Sequence, residues 1–272
     1  MIKLLFLGDI VGKSGRQALE TYLPDLRKAL NLDCVIANAE NAAHGFGITK
    51  KISEELFALG VDVLTTGNHV WDKAEVISYI SQEKRLIRPA NYSATHPGKG
   101  SYVFETPKGA KILVLNVMGR LFMEHVDNPF EALERELQYY NLGKNIQAIF
   151  VDFHAEASSE KMAFARYFDG KISALVGTHT HVPTADNIIL PCGTGYQTDV
   201  GMCGCYDSVI GMRADASIAR FRRVLGGNTK MEPMEGPATL CGVYLEIDPK
   251  TGICHKLSPI RLGGMLQEAT VS

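Results

Sequence analysis

Two histidines separated by one threonine, His179-Thr180-His181, follow the apolar run Ala174–Val176 and Gly177. Other oxygen and nitrogen donors stand where other apolar runs stop. Asp9 follows "IKLLFLG", Glu40-Asn41 follow "CVIANA", Asn68-His69 follow "VDVLTTG", and His154 follows "AIFVDF". These eight donors are carboxylates, carboxamides and imidazoles, with no thiolate among them. Such a set suits Fe, Mn or Zn and is too rich in nitrogen for Ca or Mg. It provides for two ions more readily than for one, and a central carboxylate, Glu40, could bridge them. In extended chain the side chains at i and i+2 point the same way, so His179 and His181 are expected to reach one cluster together. Taken singly, each residue is ordinary, because a lone histidine at a strand end is usually just hydrogen-bonded. The weight lies in their recurrence at equivalent positions. His96, His125 and His255 lack that placement and read as structural or exposed.

The elements that must position these donors alternate along the chain. Strands are expected at 2–8, 34–39, 61–66, 111–117, 148–153 and 172–177. Helices are expected at 14–30, 49–59, 72–81, 129–140 and 158–168, with Pro24 kinking or dividing the first and Thr49 capping the second. Alternating strands and helices imply parallel pairing under helices, and ligands then bind just beyond the carboxyl ends of the strands. The tail turns β-rich from "NIILP" onward, interrupted by a helix at 215–225, which implies a mixed sheet or a second one. The turn-rich stretch 88–100 is long for a plain connection and, with 194–206, is the expected substrate wall. Arg88, Tyr92 and Tyr196 would contact phosphate or stack on a base there. No linker or repeat divides the chain, so residues 1–272 are expected to form a single domain.

Bulk properties narrow the partners. The chain has 272 residues, 46% hydrophobic and 21% charged, with a net charge of −2. That balance gives no reason to expect nucleic acid or a membrane surface as the main partner. No apolar run reaches the roughly 18 residues of a membrane span, and the apolar start is too short for an export signal. The six cysteines are scattered, which fits reduced thiols and a cytoplasmic location. Cys203-Gly204-Cys205 has no second Cys or His pair at finger spacing.

In order along the chain, "GDIVG" (8–12), "GNHVWD" (67–72), "FHAEA" (153–157) and "GTHTHVP" (177–183) resemble the signposts of the calcineurin-like metallophosphoesterases. Two departures are specific: Val11 stands where that family carries a histidine, and "NAENAAHG" (38–45) puts Glu40 in place of the bridging aspartate. Both are similar to the YmdB-type branch of cyclic-nucleotide phosphodiesterases, which the chain resembles along nearly its whole length, including "RPANY" (88–92) and "GTGYQTDVGM" (194–202). The resemblance implies an α/β fold, a four-layer αββα sandwich of two mixed sheets flanked by helices. It implies two divalent or trivalent transition-metal ions, iron first, with Mn or Zn as alternatives. By the same resemblance Asp9, Glu40, Asn41 and His181 would hold one ion. Glu40, Asn68, His154 and His179 would hold the other, and His69 would be the acid for the leaving group. Asn41 would fill the place of the histidine missing at Val11, with a backbone or water ligand as the alternative. Either Asp72 or a backbone carbonyl would orient His69.

The expected reaction is hydrolysis of a phosphodiester by a metal-activated hydroxide with a histidine general acid. The resemblance makes 2′,3′- or 3′,5′-cyclic nucleotides the expected substrates. The alternatives are a phosphomonoesterase, or a non-catalytic regulatory scaffold that responds to a nucleotide or RNA. The expected partner is a small phosphodiester, with no membrane, RNA not required, and room for a homo-oligomer.

Overall fold

The computed structural model describes residues 1–223 and 230–271. Strand β1 (Ile2–Leu7) shows how its layers arise. Leu4 and Phe6 enter one apolar cluster, while Leu5 and Leu7, on the opposite face, enter another. Both faces are covered, so the sequence reads as a continuous apolar run instead of alternating.

The chain continues through β2 (Asp9–Ile10), α1 (Gly12–Ala29), β3 (Cys34–Asn38), α2 (Lys50–Ala58), β4 (Val63–Thr65), α3 (Val76–Tyr79), β5 (Ser101–Glu105) and β6 (Lys111–Met118). Then come α4 (Pro129–Leu137), β7 (Ala148–His154), α5 (Ser158–Tyr167), β8 (Ala174–Thr178), β9 (Ile188–Ile189) and β10 (Gly195–Gln197). The described chain closes with β11 (Met202–Cys205), α6 (Ala214–Phe221), β12 (Ala238–Ile247) and β13 (Cys254–Leu262).

One sheet runs β2-β11-β12-β1-β3-β4, with β13 also on β12; the other runs β5-β6-β7-β8-β10-β9. Strands β1, β3 and β4 are parallel, as are β6, β7, β8 and β10, while β12 and β5 join antiparallel, so both sheets are mixed. Three apolar clusters separate four layers. One lies between the sheets, around Phe6, Ile36, Val114, Phe150 and Val243. A second joins the first sheet to α1 and α2 through Leu19, Leu23 and Leu56, and a third joins the second sheet to α4 and α5 through Leu133 and Phe164. This is the αββα sandwich expected from the sequence.

Some local expectations change. Helix α1 runs through Pro24 without dividing. The helix expected at 72–81 contracts to the single turn of α3. Strand β5 pairs with β6 and had no counterpart in the sequence reading. Of the helix expected at 215–225, α6 covers 214–221, and 224–225 lie outside the described residues. Thr49 caps α2 as expected, its side chain accepting from the Ile52 N–H at 3.2 Å. Among the described residues no helix is long and apolar enough to cross a membrane.

The donor-bearing strand ends divide between the sheets. Asp9, Glu40-Asn41 and Asn68-His69 follow β1, β3 and β4 of the first sheet; His154 and His179 end or follow β7 and β8 of the second. The site is therefore built where two parallel sets of strands meet, and not along one rim.

Candidate metal centre

Three of the expected donors converge on a ring nitrogen of a fourth. His154 Nε2 lies 3.1 Å from Glu40 Oε1, 3.0 Å from Asn68 Oδ1 and 3.1 Å from His179 Nδ1. Glu40, His154 and His179 form a group whose ligand atoms all lie within 4.8 Å of one another. Acceptor oxygens and ring nitrogens packed this closely call for a positive charge between them. The buried charges show the same demand. Burial alone would lower the His154 pKa, but the charge and hydrogen bond of Glu40 raise it to about 9. Burial would raise Glu40, yet the same contact with His154 holds it down at about 2. His179 drops to about 3, through burial and then the neighbouring His154.

The other expected donors lie beside this group. Asp9 is fully buried; its Oδ2 accepts the His179 N–H at 3.2 Å, while Oδ1 has no hydrogen-bond partner. That orphaned oxygen lies 4.0 Å from His181 Nε2. Asn41 gives its amide N–H to the Gly45 carbonyl at 2.9 Å, and its Oδ1 is likewise buried without a partner. A buried acceptor with nothing to accept costs about 1–3 kcal/mol. Two such oxygens, one of them near the imidazoles of His154 and His181, fit a cation. The donor set as a whole, with its converging nitrogens and orphaned oxygens, fits the implied pair of transition-metal ions. The six cysteines are all free thiols, and none is among the donors.

The local backbone differs from the expected one after β8. β8 ends at Thr178, and His179 and His181 both take positive φ, 94° and 66°. They do not reach the cluster by alternating along extended chain. They reach it through a strained turn, at about 1–3 kcal/mol per residue. Surrounding bonds hold that turn. Lys161 Nζ, fully buried, donates to the Thr178 carbonyl at 2.8 Å and to Asp199 Oδ2 at 2.9 Å. Asp199 Oδ2 also accepts from the Thr180 N–H and hydroxyl, and the His181 carbonyl accepts from the Met202 N–H and the Tyr206 hydroxyl.

A second constraint on the backbone is at Gly67. Its φ is not positive; the constraint is space. A Cβ there would lie 2.3 Å from His154 Nε2 and 2.4 Å from Glu40 Oε2. The backbone after β4 lies directly against the donor group, and only glycine leaves room.

His69 stands apart from the converging donors. Its N–H donates to Glu40 Oε2 at 3.0 Å, its Nδ1 lies 2.8 Å from Asp72 Oδ2, and its ring meets Phe46 edge-on at 5.0 Å. Asp72, and not a carbonyl, is thus the group that holds the ring. Trp71 turns away, packing on Tyr92 and His96.

A cavity of about 400 Å³ opens over the group, with Glu40, Asn41, His69, His179 and His181 on its floor. Its walls are Phe46, Ile210, Met212, Met231, Glu156 and Arg220, none of which the sequence reading assigned. Glu156 lies in the quoted "FHAEA" stretch, two residues past His154, and alternation could have flagged it; its Oε2 is 3.3 Å from His179 Nε2. Ile210 and Met212 carry no local signal.

The three expected substrate contacts do not line this cavity. Arg88 is buried, and its guanidinium donates to the carbonyls of Pro89, His96 and Pro97, so its charge braces its own loop. Tyr92 donates to Glu124 and packs on Trp71. Tyr196 lies in the third apolar cluster with its hydroxyl 2.7 Å from Thr198 Oγ1. His96, His125 and His255 are exposed, as expected.

Comparison with known proteins agrees with this architecture. Residues 5–260 match the family described as YmdB-like protein. A Bacillus subtilis (strain 168) protein named 2′,3′-cyclic-nucleotide 2′-phosphodiesterase is 44% identical over 95% of this chain and 96% of its own. The crystal structure of a hypothetical protein from Thermus thermophilus superposes with a TM-score of 0.89 at 41% identity, covering 97% of this chain and all of that one. The crystal structure of a Mycoplasma pneumoniae protein described as a novel phosphatase superposes with a TM-score of 0.87 at 40% identity, covering 96% and 93%.

Proposed function

Because the chain belongs to the YmdB-like protein family, we propose that it is a metal-dependent phosphodiesterase. Its substrates are small phosphodiesters, with 2′,3′- or 3′,5′-cyclic nucleotides foremost. The observation that carries this reading is the convergence of Glu40, Asn68 and His179 on His154 Nε2, together with the orphaned buried oxygens of Asp9 and Asn41. Asp9, Glu40, Asn41 and His181 would hold one ion. Glu40, Asn68, His154 and His179 would hold the other, with Glu40 shared. When bound, the pair supplies an activated water and neutralises phosphoryl charge. Iron, manganese and zinc all suit this donor set.

The chain's own residues do the rest. Asp72 holds His69 through Nδ1, which leaves Nε2 to give a proton to the departing oxygen. Phe46, Ile210 and Met212 offer an apolar wall to a nucleoside, and Arg220 offers a cation at the mouth. A scaffold that only bound a nucleotide would have no use for a histidine held this way beside the donors. The whole chain acts as one catalytic domain.

A phosphomonoesterase is the second reading, because the Mycoplasma pneumoniae neighbour is described as a phosphatase. The mostly apolar walls favour an ester with two organic groups. Rates on paired mono- and diesters of the same nucleosides decide between them: the diester should be faster, and a clear preference for monoesters overturns the proposal.

A further inference from the structure

The Nδ1 edge of His154 is held as closely as the Nε2 edge on which the other donors converge. Its Nδ1 lies 2.9 Å from Thr178 Oγ1, and the same hydroxyl lies 2.7 Å from Asp152 Oδ1. The sheet register sets this arrangement: His154 pairs with Thr178 across β7 and β8, and Asp152 is two residues before His154 on the same strand face. All three side chains are fully buried. The other carboxylate oxygen of Asp152 accepts the Asn38 amide at 2.9 Å and the Thr65 hydroxyl.

A hydroxyl has one proton to give. An ionised carboxylate can only accept, so Thr178 gives its proton to Asp152. The oxygen of Thr178 can then only accept, and what it accepts is the Nδ1–H of His154. In its neutral form His154 therefore carries its proton on Nδ1 and an open lone pair on Nε2.

We propose that Asp152 and Thr178 are positioning residues: a carboxylate–hydroxyl relay that fixes His154 in the Nδ1–H tautomer and aims its Nε2 at the metal site. The inference rests on the reading of His154 as a ligand, but it makes a claim about the proton that can be read separately. Outer-layer partners of metal-binding histidines typically contribute about 10–100-fold in metal affinity.

Thr178→Val removes the hydroxyl at nearly constant shape, and Thr178→Ser keeps it. Zinc affinity, measured by competition with a chromophoric chelator, should fall by about 10–100-fold in Thr178→Val and stay within a few-fold of the parent in Thr178→Ser. In histidine-¹⁵N-labelled protein, the His154 Nδ1–H resonance should be downfield and slow to exchange in the parent and the serine variant, and lost in the valine variant. Should Thr178→Val not fold, Asp152→Asn tests the same relay, since Asn38 and Thr65 would then face an amide; zinc should again weaken. Unchanged zinc affinity with an intact Nδ1–H signal in the valine or asparagine variant overturns the relay. A parent chain that binds no zinc but shows the protected proton would sustain the relay and remove the metal reading.

Discussion

Substituting Gly67 by alanine should empty the donor group while leaving most of the fold intact. The new Cβ would lie 2.3 Å from His154 Cδ2 and Nε2, and 2.4 Å from Glu40 Oε2. Ordinary carbon contact is about 3.5–4.0 Å, so the overlap exceeds about 1 Å. Neither neighbour is a flexible end: both are buried, and His154 is also tied to Thr178. Either the backbone after β4 lifts, carrying Asn68 away, or Glu40 and His154 part. Overpacking of this kind costs about 1–3 kcal/mol, which at roughly 2–4 °C per kcal/mol is a modest loss of melting temperature. The effect on metal is larger, because ligand distances tolerate only about 0.2 Å. Gly109→Ala is the control: its φ is +81° but nothing lies within 4 Å, so it bears only a backbone cost of about 1–3 kcal/mol. Metal content by mass spectrometry, melting temperature and diesterase rate on both variants decide the matter. Gly67→Ala should lose metal and activity out of proportion to its stability, and Gly109→Ala should lose neither. A Gly67→Ala protein with full metal and parental rate would refute the reasoning, as would equal metal loss in the control.

Three further outcomes are expected. His69→Ala should lower turnover by about 10²–10⁴ while keeping its metal; the loss should shrink for p-nitrophenolate, which needs little protonation, and an equal loss for good and poor leaving groups would remove His69 as the acid. Glu40→Gln should release most of both ions, since a neutral amide oxygen cannot serve two cations; loss of one ion alone would make Glu40 a terminal ligand. In the metal-free chain His154 titrates near 9, above its ordinary 6.5. Its contribution to stability is therefore complete below about pH 6.5 and disappears as pH rises through about 9. Melting temperature after chelation should accordingly fall between pH 7 and 9.5, and a flat or rising profile would contradict the Glu40–His154 pairing.

Much of this arrangement was legible because it follows from local pattern. Runs such as "KILVLNV" and "AIFVDF" are continuous since both faces of β6 and β7 are covered, and the donors sit where those runs stop. What the sequence could not show depends on residues far apart in the chain. Gly67 is glycine because His154, on the other sheet, lies against it. The positive φ of His179 and His181 is held by Asp199 and Lys161, whose pairing no spacing announces. Arg88 looked like a phosphate contact because it is a cation in a long loop; its role depends on carbonyls that only the folded loop brings around it. Ile210 and Met212 reach the cavity by a loop after β11 that has no helical or strand period to read.

The most direct test is the metal content of the chain purified without oxygen, measured alongside its activity on a 2′,3′-cyclic nucleotide before and after chelation. Close to two transition-metal ions per chain are expected, with activity lost on chelation and restored by iron, manganese or zinc. A folded, active chain that carries no metal, or whose rate is indifferent to chelation, would contradict the account.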